Sequence, residues 1–388
     1  MIDFTNCPVN RFRAYGGANG NKINISYEGS SYMLKFPPRP SRNKEMSYTN
    51  GCISEYVACH IFDMLGFRVQ DTLLGNYTDS RGKSKLVVAC RDFTEDGKRL
   101  IEFAQLKNTC IDSEQNGYGK ELDSILEAIN EQTLYPADEL RAFFWDMFLA
   151  DAFLGNFDRH NGNWGLLVNE EEQSVEIAPI YDCGSCLYPQ LDLPHMAEVL
   201  NSQEEIDRRI YVFPASAVEE HGVKIPYFDF ISSLRCPECN DALRRVTARI
   251  DLDRIQKFLD GVPELQPIQR EFYLTMLTER KEKILDYSLD LLLREEQQPG
   301  APELTMGPTE YSGDRISLMR SPFSVLPTTT KPRGTIPMRE RTEAKSENHK
   351  VMCQDNLSRG RLNTAAPCLL ETVDHDRNHS EKFGGFAE

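Results

Sequence analysis

The chain has 388 residues, of which 60 are acidic and 44 basic, and its formal net charge is −16. The electric field of such a negatively charged protein repels phosphate groups, which disfavours non-specific binding to nucleic acid or to anionic membranes. A hydrophobic content of 40% is typical of a globular protein, and the length allows about two domains. Neither an apolar run of about 18 residues nor a secretory leader is present, so we expect a soluble cytoplasmic protein without a membrane span.

The eleven cysteines are odd in number and scattered, which favours reduced thiols over a disulfide framework. Two C-x-x-C pairs, Cys183/Cys186 and Cys236/Cys239, are too far apart in the chain for a zinc ribbon. We expect Cys183 and Cys186 to be small buried side chains. The role of the second pair is open.

A glycine-rich segment, G-G-A-N-G-N-K, is the first candidate for chemistry. Its small residues permit positive φ and leave backbone N–H groups open to a phosphate. Its members are Gly16, Gly17, Ala18, Asn19, Gly20, Asn21 and Lys22. An ordinary turn would have the same composition, so this segment alone does not identify a nucleotide site.

A β-hairpin is predicted next, with strands at residues 23–27 and 31–36. Alternation places Met33 and Lys35 on one face of the second strand and Leu34 on the other. Lys35 is therefore either a surface cation lying along apolar neighbours or part of a site.

The helix predicted at residues 50–65 is apolar on two sides, and Glu55 lies within one of its apolar stripes. A carboxylate in such a position requires a cationic partner or a raised pKa. Lys35, one element earlier, is the available cation. An exposed ion pair with another residue would also satisfy Glu55.

Strands predicted at residues 69–77 and 86–90 complete a small sheet-rich lobe over residues 1–93. After Phe93 the pattern turns helical. Residues 90–94 are therefore a candidate hinge and one wall of a cleft.

The larger lobe is predicted over residues 94–296, beginning with helices at 122–130 and 138–154. The second helix is hydrophobic almost all round and is predicted to be a core helix. Asp146 and Asp151 within it are expected to be paired structural carboxylates. Further helices are predicted at residues 203–211, 227–234, 241–250, 252–260 and 269–296. Beyond them, the Pro-, Ser- and Thr-rich residues 297–388 are predicted to be a disordered tail.

The sequence N-F-D-R-H-N-G-N-W precedes two short apolar strands at residues 164–168 and 175–180, which predict a hairpin. Such a hairpin brings Asn163 close to Asp182, and the preceding loop can turn Asp158 toward the same cleft. Oxygen ligands of this kind suit Mg²⁺, and a separate carboxylate can orient an attacking hydroxyl. Taken by itself, the motif D-x-x-x-x-N could equally be a solvated turn.

The motifs occur in the order that kinases use: glycine loop, strand lysine, helix glutamate, D-x-x-x-x-N and D-x-G. Over residues 1 to about 296 the chain resembles the HipA-like serine/threonine kinases. The matching segments are G-G-A-N-G-N-K, Y-M-L-K-F-P-P, S-E-Y-V-A, G-N-F-D-R-H-N-G-N-W and I-Y-D-C-G. The resemblance implies an α+β, two-lobed protein-kinase-like fold, with a small β-rich N-lobe and a larger, mainly helical C-lobe.

The resemblance also implies ATP and Mg²⁺ as cofactors. The backbone of the glycine loop would cover the ATP phosphates, and Lys35 would contact the α- and β-phosphates while Glu55 holds it. Asn163 and Asp182 would coordinate Mg²⁺.

The same resemblance assigns the acceptor side of the reaction. Asp158 would orient a protein serine or threonine hydroxyl and receive its proton, with Arg159 and His160 shaping the loop. Autophosphorylation is implied as well. Because the glycine loop contains no Ser or Thr, that reaction must occur elsewhere, for example at Ser185, Thr49 or in the tail.

Partners and location follow from the resemblance as expectations. Only about 15 residues precede the glycine loop, so the additional N-terminal subdomain of the HipA toxin is missing, and an antitoxin or operator-DNA partner is doubtful. Delivery to host cells as a virulence effector is implied, without a cleavable signal peptide.

Two other functions stay open. Phosphatidylinositol kinases also contain D-R-H-x-x-N, although a phosphoinositide headgroup needs cations and residues 182–207 contain no Lys or Arg. A non-catalytic, kinase-shaped interaction protein is the second alternative. Every expected catalytic position is occupied, which favours an active protein kinase over both.

Overall fold

A six-stranded sheet gathers the N-terminal strands of the chain. In chain order these are β1 (Ile2–Asp3), β2 (Val9–Asn10), β3 (Lys22–Tyr27), β4 (Ser30–Lys35), β5 (Thr72–Thr78) and β6 (Ser84–Arg91). Their spatial order is β1-β5-β6-β4-β3-β2, with β1 parallel to β5 and the other neighbours antiparallel. The small lobe is therefore rich in sheet, as expected. The two-residue strands β1 and β2 are not evident from the sequence pattern.

The computed structural model describes residues 1–13, 22–38, 49–111 and 114–297. These residues lie in one compact unit of the chain, Met1–Thr305. Residues 16–21 of the glycine loop and the tail beyond Gln297 lie outside the described residues, so what is predicted for them stays a prediction.

The alternation along β4 separates two apolar clusters. Leu34 faces a smaller cluster, whose buried members also include Phe4, Ile25, Val87 and Ala89. Met33 packs on the opposite side, against the larger core that contains the first helix, α1 (Gly51–Met64). Because Lys35 is two residues after Met33, it points toward α1 as the predicted alternation requires.

A second sheet has three antiparallel strands in the order β7-β8-β9. These strands are β7 (Lys98–Glu102), β8 (Gly165–Asn169) and β9 (Ser174–Ile177). The hairpin predicted before Asp182 is present as β8 and β9. The prediction that the chain turns helical directly after Phe93 is wrong, because β7 follows and pairs with β8, about 65 residues later in the chain.

Two further strands, β10 (Glu219–Glu220) and β11 (Val223–Lys224), pair antiparallel with each other, and most of the other described elements are helices. After α1 they are α2 (Phe103–Cys110), α3 (Leu122–Glu131), α4 (Ala137–Leu154), α5 (Leu193–Leu200), α6 (Gln203–Tyr211), α7 (Tyr227–Ser232), α8 (Pro237–Thr247), α9 (Leu252–Asp260), α10 (Pro267–Arg280) and α11 (Tyr287–Gln297). A π-helical turn, Lys281–Asp286, joins the last two, so the single helix predicted at residues 269–296 is interrupted. Among these described helices, none has the length and apolar character to cross a membrane.

The core helix α4 delivers the chain into the predicted catalytic loop. Its side chains from Phe144 to Leu154 are all buried, including Asp146 and Asp151. The helix ends at Gly155, whose φ of 65° is left-handed and therefore suits glycine. Asn156 continues directly into the site.

Candidate active site

One cleft brings together the predicted site residues that the structure describes. Its volume is about 810 Å³, and residues 92–94, within the predicted hinge at residues 90–94, line one side of it. The predicted residues that line it are Lys22, Lys35, Glu55, Asp158, Asn163 and Asp182. Residues far apart in sequence thus share one concave surface, which is the usual form of a small-molecule site.

Lys35 is the electrostatic centre of this cleft. Its Nζ lies 2.9 Å from Glu55 Oε2 and 3.0 Å from Asp182 Oδ1, so the contact predicted with Glu55 is present and a second carboxylate joins it. Burial opposes the charge, but the carboxylates of Asp182 and Glu55 outweigh it and hold the pKa of Lys35 well above its usual value. The ammonium therefore stays charged at neutral pH.

Glu55 connects the sheet lysine to the D-C-G turn. Its side chain is 2% exposed, and its Oε1 accepts a hydrogen bond of 3.1 Å from the backbone N–H of Cys183. Burial raises the pKa of Glu55, and the Lys35 ammonium opposes that shift. The glutamate therefore fixes both the cation and the residue that follows Asp182.

Asp182 presents an ionised carboxylate to the cleft. Its side chain is 42% exposed, and its backbone is held at a φ of 55°, in the left-handed region that aspartate tolerates better than most residues. The Lys35 ammonium lowers the pKa of Asp182 to about 2 against the effect of burial, with a smaller contribution from Lys22. This carboxylate is ionised at every physiological pH.

Backbone contacts shape the loop between Asp158 and Asn163. The Asn163 Nδ2 donates a hydrogen bond of 2.8 Å to the carbonyl oxygen of Asp158. The backbone N–H of Asn163 donates one of 2.8 Å to the carbonyl oxygen of His160. Because Nδ2 is used within the loop, Oδ1 is the atom of Asn163 that could bind a cation. Burial raises the pKa of Asp158, and the nearby Asp182 adds to the increase while His160 opposes it.

The oxygen donors in the cleft suit Mg²⁺ better than they suit a metal ion that is coordinated entirely by protein side chains. Throughout the ranges that the structure describes, no group of three or more His, Cys, Asp or Glu side chains is arranged to hold a metal ion. Asp182 and Asn163 instead offer one carboxylate and one amide oxygen to the cleft, and Asp158 stands beside them as a separate carboxylate. That set suits an ion which keeps several waters and also binds substrate phosphates.

Arg159 ties the loop to the protein interior. Its guanidinium donates to Asp151 at 3.1 Å, to the carbonyl of Asn163 at 3.0 Å and to the carbonyl of Tyr181 at 2.6 Å. Both members of the ion pair with Asp151 are buried. The expectation of a structural, paired Asp151 is therefore confirmed, and Asp146 is likewise paired, with Arg245 at 2.8 Å.

Replacing Arg159 by alanine is expected to lower the free energy of unfolding by about 3–5 kcal/mol, because it leaves the buried carboxylate of Asp151 without its cation. Arg99, whose ion pair with Glu170 is solvent-exposed, provides the matched control. Arg99→Ala should change stability by less than about 1 kcal/mol. Urea unfolding of both variants measures the difference, and equal effects would contradict this reading of Arg159.

The expectation that Cys183 and Cys186 are buried is confirmed. Cys183 and Cys186 are fully buried, and Cys239 is 2% exposed. Cys236 is half-buried at the start of α8, with Cys239 one turn into that helix. The structure assigns no chemistry to this second pair.

Several residues of the site were not singled out from the sequence. Tyr181 OH donates to the carbonyl of Gly162 at 2.9 Å, and Tyr118 OH donates to Glu102 at 3.0 Å. Asn161 Nδ2 donates to the carbonyl of Gly119 at 2.9 Å. Only Tyr181 had a local signal, since it directly precedes Asp182; the other contacts depend on segments that the fold brings together.

Comparisons with known proteins agree with this architecture. A family model described as the HipA-like C-terminal domain matches residues 14–250. The serine/threonine-protein kinase CtkA of Helicobacter pylori strain J99 is 49% identical over 306 residues, which cover 78% of this chain and 93% of that protein. A crystal structure of the Helicobacter pylori proinflammatory kinase CtkA matches with a TM-score of 0.71 and 48% identity, covering 77% of this chain and 99% of that chain. These matches confirm the expected two-lobed, HipA-like kinase fold. The chain therefore belongs to the HipA-like C-terminal domain family.

Proposed function

We propose that the chain is a serine/threonine protein kinase that uses ATP and Mg²⁺. The observation that carries this proposal is the position of Lys35 between Glu55 and Asp182, in the cleft that Asp158 also lines. Kinases use a paired lysine for the phosphates, a D-x-G aspartate for the metal and a loop aspartate for the acceptor hydroxyl. The 49% identical relative, named a serine/threonine-protein kinase, supports the same reaction.

In this mechanism Lys35 contacts the α- and β-phosphates of ATP, and Glu55 keeps its ammonium in place. The resemblance implies that the backbone of residues 16–22, of which the structure describes only Lys22, would cover the phosphates. Asn163 and Asp182 would hold Mg²⁺, which supplies neutralisation of the phosphate charge when bound. These assignments follow the family pattern, and the contacts of Lys35 support them.

Asp158 positions the acceptor hydroxyl and takes its proton as the bond from the hydroxyl oxygen to the γ-phosphorus forms and the bond from that phosphorus to the β,γ-bridging oxygen breaks, which releases ADP. Its backbone is fixed on both sides, since its N–H donates to Asn156 Oδ1 at 3.1 Å and its carbonyl accepts from Asn163 at 2.8 Å. Phosphoryl transfer depends mainly on positioning and on charge neutralisation. A rigid loop carrying one carboxylate therefore fits this task better than His160, which we place in a supporting role.

We extend the proposal to autophosphorylation. Ser185 lines the cleft three residues after Asp182, and Thr49 lies two residues before Gly51, the first residue of α1. A role as an effector on host proteins rests on the resemblance alone. Mapping the phosphorylated residues of the purified chain by mass spectrometry tests the first point, and a chain that carries no phosphate after incubation with ATP and Mg²⁺ would contradict it.

The substrate class is tested with labelled ATP and two acceptors in parallel, a generic basic protein and phosphatidylinositol in vesicles. We expect label on the protein and none on the lipid. Label on the lipid alone would favour the lipid kinase, whereas ATP binding without transfer to either acceptor would favour a non-catalytic role.

The acid limb of the pH profile is expected to report Asp158. Because burial and Asp182 raise its pKa, the logarithm of kcat/KM should begin to fall at a pH above the ordinary aspartate value of 3.8. Asp182, with a pKa of about 2, stays ionised throughout this range and should not contribute. Activity is measured across the acid range, and enzyme returned to neutral pH serves as the control for irreversible loss. A limb at or below the ordinary value would contradict the assignment.

A further inference from the structure

Arg13 lines the cleft beside the hinge and has no role in the mechanism described so far. Its Nη2 lies 2.7 Å from Asp92 Oδ2 and also donates a hydrogen bond to Thr94 Oγ1. The side chain of Asp92 is 4% exposed, whereas that of Arg13 is 35% exposed. The hinge thus buries the anion of this pair and leaves part of the cation accessible from the cleft.

The turn that holds Arg13 is itself fixed by hydrogen bonds. Asp92 Oδ1 accepts from the backbone N–H of Thr94 at 3.0 Å and from its hydroxyl at 2.7 Å. The backbone N–H of Asp92 donates to the carbonyl of Ser31, in β4, at 2.9 Å. The guanidinium therefore has a defined position relative to both the hinge and β4.

Strand β4 separates the partner of Arg13 from Lys35. Asp92 is bonded to the strand at Ser31, whereas Lys35 is its last residue, four residues later. Since a strand advances about 3.3 Å per residue, the two positions are about 13 Å apart. The proposed function places the phosphates of ATP at Lys35. The base, at the other end of an extended nucleotide, would then lie toward Arg13.

The chemistry of this end of the cleft favours a base over a phosphate. Asp92 balances the charge of Arg13 at 2.7 Å, which weakens the attraction of the pair for another anion. A guanidinium is also planar and stacks well on aromatic rings. Phe93, between the two partners of Arg13, and Met33, in the middle of β4, line the cleft as well and supply apolar surface for a base.

We propose that Arg13 binds the base of the nucleotide, with its guanidinium plane stacked on the purine ring and held there by Asp92 and Thr94. This inference rests on the proposed function and specifies how its nucleotide is recognised. Arg13 contributes affinity through the base, whereas Lys35 neutralises phosphate charge. The two cations of the cleft therefore act on opposite ends of the same ligand.

The test compares two ligands that share the base and differ in phosphate. Calorimetric titration in the presence of Mg²⁺ measures the Kd for ADP and for adenosine, with the wild-type chain and with Arg13→Ala. We expect both ligands to bind about tenfold more weakly to the variant, the effect of losing a largely desolvated stacking contact. The KM for ATP should rise by a similar factor, while kcat at saturating ATP stays the same.

Two further variants separate base recognition from support of the hinge. Arg13→Lys keeps a positive charge beside Asp92 but has no planar group, so it should retain wild-type stability and still bind ADP about fivefold more weakly than the wild-type chain. Arg11, an exposed arginine two residues earlier, provides the matched control, and Arg11→Ala should leave both Kd values unchanged. Thermal unfolding of each variant establishes that the fold is kept.

The outcomes distinguish this inference from the proposed function. Unchanged ADP affinity in Arg13→Ala, or full ADP affinity in Arg13→Lys, would overturn the role of Arg13 alone. A loss for ADP without a comparable loss for adenosine would assign Arg13 to the phosphates and would also overturn it, as would an equal loss in Arg11→Ala. Absence of any ADP or ATP binding to the wild-type chain would overturn the proposed function and this inference with it.

Discussion

Replacing Asp158 by alanine is expected to lower the turnover of phosphate transfer by about 10²- to 10⁴-fold, the range for loss of a group that handles a proton in the transition state. The carboxylate lines the cleft and, within the part of the chain that the structure describes, forms no ion pair, while the backbone N–H and carbonyl groups of Asp158 make the hydrogen bonds that shape its loop. Stability and the dissociation constant for ATP should therefore change little. Rapid mixing of the enzyme with labelled ATP and a basic protein measures the turnover directly.

Two controls make this result specific to Asp158. Asp158→Asn keeps the shape of the side chain without the charge and should be nearly as inactive as the alanine variant. Asp138, a carboxylate that is 99% exposed at the start of α4, should tolerate alanine without loss of turnover. Full activity of Asp158→Ala would remove this residue from the mechanism, while an equal loss in Asp138→Ala would indicate a general effect on the fold.

Replacing Lys35 by methionine is expected to lower kcat/KM by about 10²- to 10³-fold, because the phosphates lose a preorganised positive charge. The same change also removes the cation from Glu55, which is 2% exposed. Breaking a buried pair in this way costs about 3–5 kcal/mol of unfolding free energy. Loss of activity alone would therefore not separate catalysis from folding.

The pH dependence of stability provides that separation. Without Lys35, burial holds the pKa of Glu55 above its value in the unfolded chain, so its contribution is present below the ordinary value of 4.5 and lost as the pH rises through the folded value. Lys35→Met should thus be closest to wild-type stability in acid and fall further behind toward neutral pH, as measured by urea unfolding.

A double variant, Lys35→Met with Glu55→Leu, replaces the pair by apolar side chains and should recover much of the lost stability. It should remain inactive. Recovery of activity in the double variant would show that Lys35 serves the fold and not the phosphates.

The sequence predicted the elements that carry the site because their signals are local. Alternation along β4 places Lys35 toward α1, and the apolar stripe around Glu55 requires a buried carboxylate that a nearby lysine can satisfy. The hairpin before Asp182 was also evident from two apolar runs around a polar turn. In each case the pattern of one element and of its neighbour in the chain was sufficient to predict where the side chain or strand lies.

The features that the sequence did not predict depend on distant segments. The short strand K-R-L-I-E of β7 has little pattern of its own and is stabilised by pairing with β8. Arg159 reaches Asp151 and the carbonyl of Tyr181, and Glu55 reaches the backbone of Cys183; neither choice of partner can be read from spacing. The helix predicted at 241–250 begins earlier, at Pro237, since proline is suited to the first turn.

The identity of the phosphorylated amino acid tests directly whether the chain is a serine/threonine kinase. The wild-type chain is incubated with γ-labelled ATP and a basic protein, with Mg²⁺ or with excess chelator, and the labelled amino acid is identified after acid hydrolysis. We expect phosphoserine or phosphothreonine that depends on Mg²⁺ and is absent with Asp158→Ala. Label that forms equally with chelator, or that persists in full with Asp158→Ala, would contradict this expectation.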